Sequence, residues 1–218
     1  MEIPSALSRL RQLVHSWIKF VMSCFVISKF SKTDNVIYLT FDDGPIEDIT
    51  ERIFNALKDL EVDAAFFFNG ADVIRHKDLV NNIISLGYFV GNHSYYHNKH
   101  TWKQWRQELD SILKGEEIIK SLIKSGSKIY RPPFGAITPF TFLYLLIKKY
   151  KIVYWNLDSR DFEAHDINEI IESIRDVKSG DILLFHNDCN LTATHIHSII
   201  NELSVKGYRF GNLSHALQ

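Results

Sequence analysis

Two cysteines, Cys24 and Cys189, are the only thiols in the chain. They supply neither a disulfide framework nor a CxxC metal pair. The chain also lacks an excess of charge: its formal net charge is −1, which leaves no electrostatic footprint for nucleic acid. No uninterrupted apolar run is long enough to span a bilayer, because His15 and Lys19 break the most apolar stretch. That stretch is not followed by a small-residue cleavage site, so no cleavable signal peptide is read from it. The expected location is the cytoplasm or the membrane periphery. Linkers, internal repeats and low-complexity segments are missing too. What remains is a globular chain of 218 residues, a length at which single-domain α/β barrels are ordinary.

Residues 1–33 form a segment of their own. Ala6, Leu7, Leu10, Leu13, Val14, Trp17, Ile18, Val21, Cys24 and Phe25 recur at helical spacing, which predicts an amphipathic helix over about 5–25. Arg9, Arg11, Lys19, Lys29 and Lys32 face one acid, Glu2, in residues 1–32. Two placements follow from that pattern. The helix docks on the domain behind it, or it makes a peripheral membrane contact through its basic face.

From 34 to 218 the chain alternates. Strand-like runs fall at 35–41, 64–68, 88–91, 128–130, 151–155, 181–185 and 208–210. Helical patterns lie between them at about 49–60, 72–86, 102–124, 139–149, 167–178 and 193–205. Thr138-Pro139 and Asp166 with Glu169 read as helix starts. Seven strands alternating with six helices predict a single domain with a parallel barrel or a doubly wound sheet. In either architecture the chemistry belongs just after the strands.

The stretch Val36-Ile37-Tyr38-Leu39-Thr40-Phe41-Asp42-Asp43-Gly44-Pro45 is the centre of the pattern. It runs as a buried strand and stops in two adjacent carboxylates, whose charges repel unless a cation sits beside them. The plainer reading makes Asp42 a helix cap and Asp43 a turn residue. After the third strand, His93 and His97 can face one centre if the segment turns helically. With a carboxylate they make a two-histidine, one-acid set with open positions. His100 lies close by, and His186, Asp188, Cys189, His195 and His197 form a second cluster. In the stretch Arg131-Pro132-Pro133-Phe134-Gly135 two prolines remove donors, so the Phe134 N–H is the next one free. A rigid loop presenting one donor suits an oxyanion.

Five stretches in this order carry a resemblance: Thr40–Gly44, His93–His97, Arg131–Gly135, Asp158–Phe162 and Leu183–His186. Over about residues 35–212 the chain resembles the polysaccharide deacetylase family, the NodB-homology domain of carbohydrate esterase family 4. It is similar in form to the chitooligosaccharide deacetylases within it. The resemblance implies a distorted (β/α)7 barrel, here with an extra N-terminal amphipathic helix. It also implies one divalent metal ion, zinc by family habit, on Asp43, His93 and His97. Asp42 matches the general base, Arg131 the residue that holds it, and the Phe134 N–H the oxyanion donor. His186 matches the general acid and Asp161 the carboxylate that tunes it. Leu184 matches the wall of the acetyl-methyl pocket. Phe162 stands where the family commonly has tryptophan.

The implied reaction removes N-acetyl groups from N-acetylglucosamine units of a chitooligosaccharide or peptidoglycan-like glycan, releasing acetate. Three rivals remain: an O-acetyl esterase on xylan or a similar glycan, a non-catalytic glycan-binding module, and a mononuclear iron oxygenase. The intact acid and histidine set argues against the binding module. The oxygenase has no use for a second, paired aspartate.

Overall fold

The structure, a computed structural model, describes residues 25–31, 34–123 and 128–218. The helix expected over 5–25 lies outside them except for Phe25. Among the described residues nine strands form one sheet: β1 (Val26–Ile27), β2 (Val36–Asp42), β3 (Ala64–Phe68), β4 (Phe89–Asn92), β5 (Ile129–Tyr130), β6 (Lys151–Val153), β7 (Leu157–Asp158), β8 (Ile182–His186) and β9 (Arg209–Phe210). The helices between and after them are α1 (Glu47–Asp59), α2 (Gly70–Arg75), α3 (Lys77–Ser85), α4 (Trp105–Leu122), α5 (Pro139–Ile147), α6 (Ile167–Ser173), α7 (Asn190–Val205) and α8 (Leu213–Ala216).

All strand pairs are parallel, in the order β1-β6-β5-β4-β3-β2-β8-β7, with β9 added to β2. The chain just past edge strand β1 reaches the start of β8, the neighbour of the other edge strand β7. Lys29, just past β1, bridges to Asp181, just before β8, and its Nζ lies 2.5 Å from the Asp181 carboxylate. The Phe30 N–H donates to the Gly180 carbonyl at 2.9 Å. Three residues after β6, Asn156 donates to the same Asp181 carboxylate and accepts from the Ile182 N–H. The sheet thus closes through side chains and a short crossing, which makes the distorted (β/α)7 barrel.

Several expectations change in detail. The sheet begins at Val26, inside the segment read as 1–33. The run at 72–86 is two helices, α2 and α3, broken at His76 with φ −120 and ψ 40. β7 and α8 were not predicted. Leu157–Asp158 is too short and polar to show a strand period, but it pairs with β8. Asp166 does cap α6, accepting from the Asn168 and Glu169 N–H groups. Thr138 does not cap α5 through its side chain, because its hydroxyl donates to the buried Glu108 carboxylate at 2.6 Å.

Strand periodicity decides what faces the barrel axis. In β2, Ile37, Leu39 and Phe41 pack outward under the helices, as do Ala64, Phe66 and Phe68 of β3 and Leu183 and Phe185 of β8. Tyr38, Ala65, Phe67 and Ile182 lie in the separate inner cluster. By the same alternation Thr40 and Asp42 of β2, and Leu184 and His186 of β8, point inward. The register sets Asp42 beside His186 and beside Phe67. Gly91 of β4 faces Phe67 so closely that a Cβ there would lie 2.6 Å from its ring. That glycine leaves room for aromatic filling below the mouth of the barrel.

Candidate metal and active site

The two adjacent aspartates receive different surroundings. Asp42 ends β2 and is 3% exposed. Arg131, fully buried, donates from one guanidinium nitrogen to Asp42 Oδ1 and to Thr40 Oγ1, both at 2.7 Å. Its remaining nitrogens donate to the carbonyls of Val153 and Tyr154, and its guanidinium carbon lies 4.1 Å from the centre of the Phe67 ring. Burial raises the pKa of Asp42, against the pull of the Arg131 charge and hydrogen bond. Asp43 follows with φ +68, which turns its side chain out of the strand direction. Its buried Oδ1 receives no hydrogen bond.

His93 and His97 meet that bare oxygen. His93 Nε2 lies 3.8 Å and His97 Nε2 3.0 Å from Asp43 Oδ1. His93 Nδ1 lies 2.8 Å from the carbonyl of Arg131. A carbonyl can only accept, so the hydrogen is on Nδ1 and the Nε2 lone pair faces Asp43. Burial lowers the pKa of His93 to about 3, which keeps the ring neutral. Asp43, His93 and His97 are the one group of three such side chains, among the described residues, able to hold a metal ion, with ligand atoms within 4.8 Å of one another. A neutral imidazole, a bare buried carboxylate oxygen and a second imidazole fit a divalent cation of the zinc class.

The histidine segment is not helical, contrary to the route expected for its spacing. Ser94 and His97 both have positive φ, and Ser94 Oγ accepts the His97 N–H at 3.1 Å. Three polar anchors hold the turn. Asn92 Oδ1 accepts from the Ser94 N–H, its Nδ2 donates to the Ile112 carbonyl in α4, and Ser111 Oγ of α4 accepts from the Tyr95 and Tyr96 N–H groups. Gly115 of α4 lets the turn approach: a Cβ there would lie 2.5 Å from Asn92 Oδ1 and 2.8 Å from the Ser94 carbonyl.

Across the mouth, His186 Nδ1 lies 2.6 Å from Asp161 Oδ1. Asp161 Oδ2 accepts from the His186 N–H at 2.9 Å and from the Thr192 hydroxyl at 2.6 Å. Burial works against charge on the imidazole, but the Asp161 hydrogen bond and charge, with Asp42 and Asp43, outweigh it and raise the pKa to about 9. Burial at Asp161 is overcome by the hydrogen bonds and charge of His186 and the hydrogen bond of Thr192, which hold its pKa below the ordinary value.

A cleft of about 390 Å³ joins these groups, lined by Asp42, Asp43, His93, His97, Leu184 and His186, with Phe134 and Phe162 at its rim. Phe134 is 58% exposed with φ +56, and its ring lies 4.5 Å from that of His97. Phe162 is 59% exposed and meets the His186 ring edge-on at 5.2 Å. Sequence reasoning left Trp155, Asp158 and Asp188 without roles, yet all three line the cleft. Trp155 and Asp188 follow β6 and β8 and Asp158 ends β7, and that placement was the available signal. The second cluster divides: His186 and Asp188 line the cleft, His195 and His197 do not, and Cys189 Sγ donates to the Asp161 carbonyl from behind. His100 lies in a neighbouring hollow with Tyr96 and Arg106, outside the metal group.

Comparison with known proteins places the chain in a family. A sequence model of the family described as Polysaccharide deacetylase matches residues 29–153. A peptidoglycan-N-acetylglucosamine deacetylase of Bacillus cereus is 30% identical over 200 residues, covering 89% of this chain and 93% of that protein. The peptidoglycan-N-acetylmuramic acid deacetylase PdaA of Bacillus subtilis is 26% identical, over 96% of this chain and 79% of its own length. A crystal structure of a peptidoglycan N-acetylglucosamine deacetylase, bound to an N-oxidanyl-benzamide, superposes with a TM-score of 0.81 at 27% identity. It covers 91% of this chain and 95% of that one. On this evidence the chain belongs to the polysaccharide deacetylase family.

Proposed function

We propose that the protein is a metal-dependent hydrolase that removes N-acetyl groups from N-acetylglucosamine units of a glycan, with peptidoglycan as the first substrate to test. The observation that carries this reading is the unequal treatment of the aspartate pair. Asp42 is gripped by Arg131, while Asp43 keeps a bare oxygen beside two imidazoles. One carboxylate is thereby reserved for a proton and the other for a cation. The names of the relatives favour peptidoglycan over chitooligosaccharide.

Asp43, His93 and His97 would hold a divalent ion, zinc by its donor set, which when bound supplies a Lewis acid that acidifies water and polarises a carbonyl. Asp42 accepts the proton of the attacking water, and burial, which raises its pKa, makes it a stronger base than an exposed carboxylate. Arg131 fixes the direction of that carboxylate. The Phe134 N–H, on its left-handed turn at the rim, donates to the oxygen that gains charge as the amide carbonyl is attacked. Leu184 walls the space for the acetyl methyl group. His186, protonated at neutral pH, gives its Nε2 proton to the leaving amine, and Asp161 holds the imidazolium in place. Phe162 and Trp155 offer aromatic faces on which a sugar ring can rest.

The purified protein should release acetate from peptidoglycan or chitooligosaccharides, and more of it when zinc is added. Release from acetylated xylan alone would make it an O-acetyl esterase. No release from any of the three glycans, with zinc present, would contradict the proposal.

A further inference from the structure

We infer that the outer face of α5, with the lysines at its end, is a docking surface for anionic lipid. The helix is the sequence Pro-Phe-Thr-Phe-Leu-Tyr-Leu-Leu-Ile, without one charged residue. Thr141, Phe142 and Leu145 turn inward and are buried. The opposite face is also apolar: Phe140 is 56%, Leu143 56% and Ile147 69% exposed. Positions 140, 143 and 147 lie on one stripe of a helix, where an ordinary surface helix carries polar side chains. The three are not scattered apolar residues but a continuous patch, and such patches mark interaction sites.

Charge tells which partner fits. From Ile118 to Leu157 there is no aspartate or glutamate, in a chain that has 26 of them. The same stretch carries six lysines, Lys120, Lys124, Lys128, Lys148, Lys149 and Lys151, besides the buried Arg131. Lys148 and Lys149 follow the stripe directly and are exposed, as are Lys128 and Lys151. Among the described residues no carboxylate pairs with any of these four. Lys128, Lys149 and Lys151 also gather around one hollow at the end of the barrel away from the cleft.

An apolar stripe ending in lysines that no carboxylate neutralises matches the boundary of an anionic bilayer, where stems lie against hydrocarbon and ammonium groups reach the headgroups. Tyr144, beside the stripe with Lys148 Nζ 5.8 Å from its ring, suits the same level. A protein partner fits less well, since protein interfaces are depleted in lysine. A glycan fits less well because two of the three stripe residues, Leu143 and Ile147, are aliphatic. The helix starts just after the Pro132–Gly135 loop at the cleft rim and runs back along the barrel flank. The helix is about 14 Å long, so its start beside the rim loop and the lysines at its end would rest on the same lipid surface. Glycan at the membrane surface could then reach the cleft.

The test is co-sedimentation of the full chain with vesicles of phosphatidylcholine, with and without phosphatidylglycerol, at low and high salt. Two combined variants are compared with the native chain: Phe140→Ser with Leu143→Ser and Ile147→Ser, and Lys148→Glu with Lys149→Glu. The native chain should bind the anionic vesicles, bind neutral ones poorly, and be released by salt. The apolar variant should bind at least about tenfold more weakly at every salt concentration, and the charge variant at least about tenfold more weakly at low salt. Both should keep their thermal midpoint and their turnover of a soluble oligosaccharide. Failure of the native chain to bind would overturn the inference. So would native-like binding by both variants, which would assign the contact to another segment. Conversion of a dimer to a monomer by the apolar variant in sedimentation velocity would show that a second copy covers the face, and would also overturn it.

Discussion

The backbone carbonyl of Arg131 accepts the Nδ1 hydrogen of His93 at 2.8 Å. The guanidinium of the same residue holds Asp42 at 2.7 Å. One residue therefore sets the tautomer of a candidate metal ligand through its main chain and the direction of a candidate base through its side chain. The two duties separate on mutation. Arg131→Lys keeps the carbonyl and a positive charge but loses the fork that spans Asp42, Thr40, Val153 and Tyr154. Metal content should stay near the native level while turnover falls about 100-fold, the usual cost of a misplaced group. Arg131→Met should also destabilise the fold by about 3–5 kcal/mol, because it leaves Asp42 buried without its partner. Loss of metal in Arg131→Lys would contradict this division.

The pairing of His186 with Asp161 predicts the alkaline limb of activity. The folded pKa of His186 is about 9, above its ordinary 6.5. The group is charged in folded and unfolded chains below pH 6.5, so its stabilising contribution is complete there. That contribution, and the acid form, are lost as the pH rises through about 9. The kcat/KM profile should fall on that side. Asp161→Asn removes the hydrogen bond and charge that oppose burial, so the limb should move down toward pH 6.5 or below. A limb that does not move would remove Asp161 from this role.

An amine leaves poorly without a proton, and an aryl oxide leaves well. His186→Ala should therefore cost more in amide hydrolysis than in hydrolysis of an activated aryl acetate, by about 100-fold or more. Equal losses on the two substrates would argue against proton donation by His186.

The turn that carries His93 and His97 leans on α4 at Gly115. Alanine at a helix interior normally favours the helix by about 1 kcal/mol over glycine. Here its Cβ would collide with Asn92 Oδ1 and the Ser94 carbonyl. Gly115→Ala should weaken zinc affinity by about tenfold or more, as disturbance around metal ligands does, while the far-ultraviolet circular dichroism stays native. Unchanged affinity would show that the turn is held by other means.

The contrast between Asp43 and Gly115 shows what the sequence made legible. Asp42, Asp43, His93, His97, Arg131, Asp161 and His186 fall just after strands or at their ends, so alternation and motif together located them, while Leu184, in the middle of β8, was reached through the motif alone. The supports could not be found that way. Gly115 lies 22 residues from His93, and Thr192 is 31 from Asp161. Their roles arise from tertiary contact and leave no local period. The histidine pair was found for a different reason than the one that holds. Spacing of four suggested a helix, but left-handed residues and hydroxyl acceptors bring the rings together instead. The two-residue strands β1 and β7 lie outside the regular strand–helix alternation that placed the equally short β5 and β9, and owe their existence to pairing with β6 and β8.

The most direct test measures bound metal and acetate release side by side in Asp42→Asn and Asp43→Ala, on an N-acetylglucosamine glycan that the native protein deacetylates. Asp42→Asn should retain one equivalent of metal and lose about 10²–10⁴-fold in turnover, because an amide cannot accept the proton of water. Asp43→Ala should lose both. Loss of metal from Asp42→Asn, or stoichiometric metal with full turnover in Asp43→Ala, would contradict the assignment of the aspartate pair.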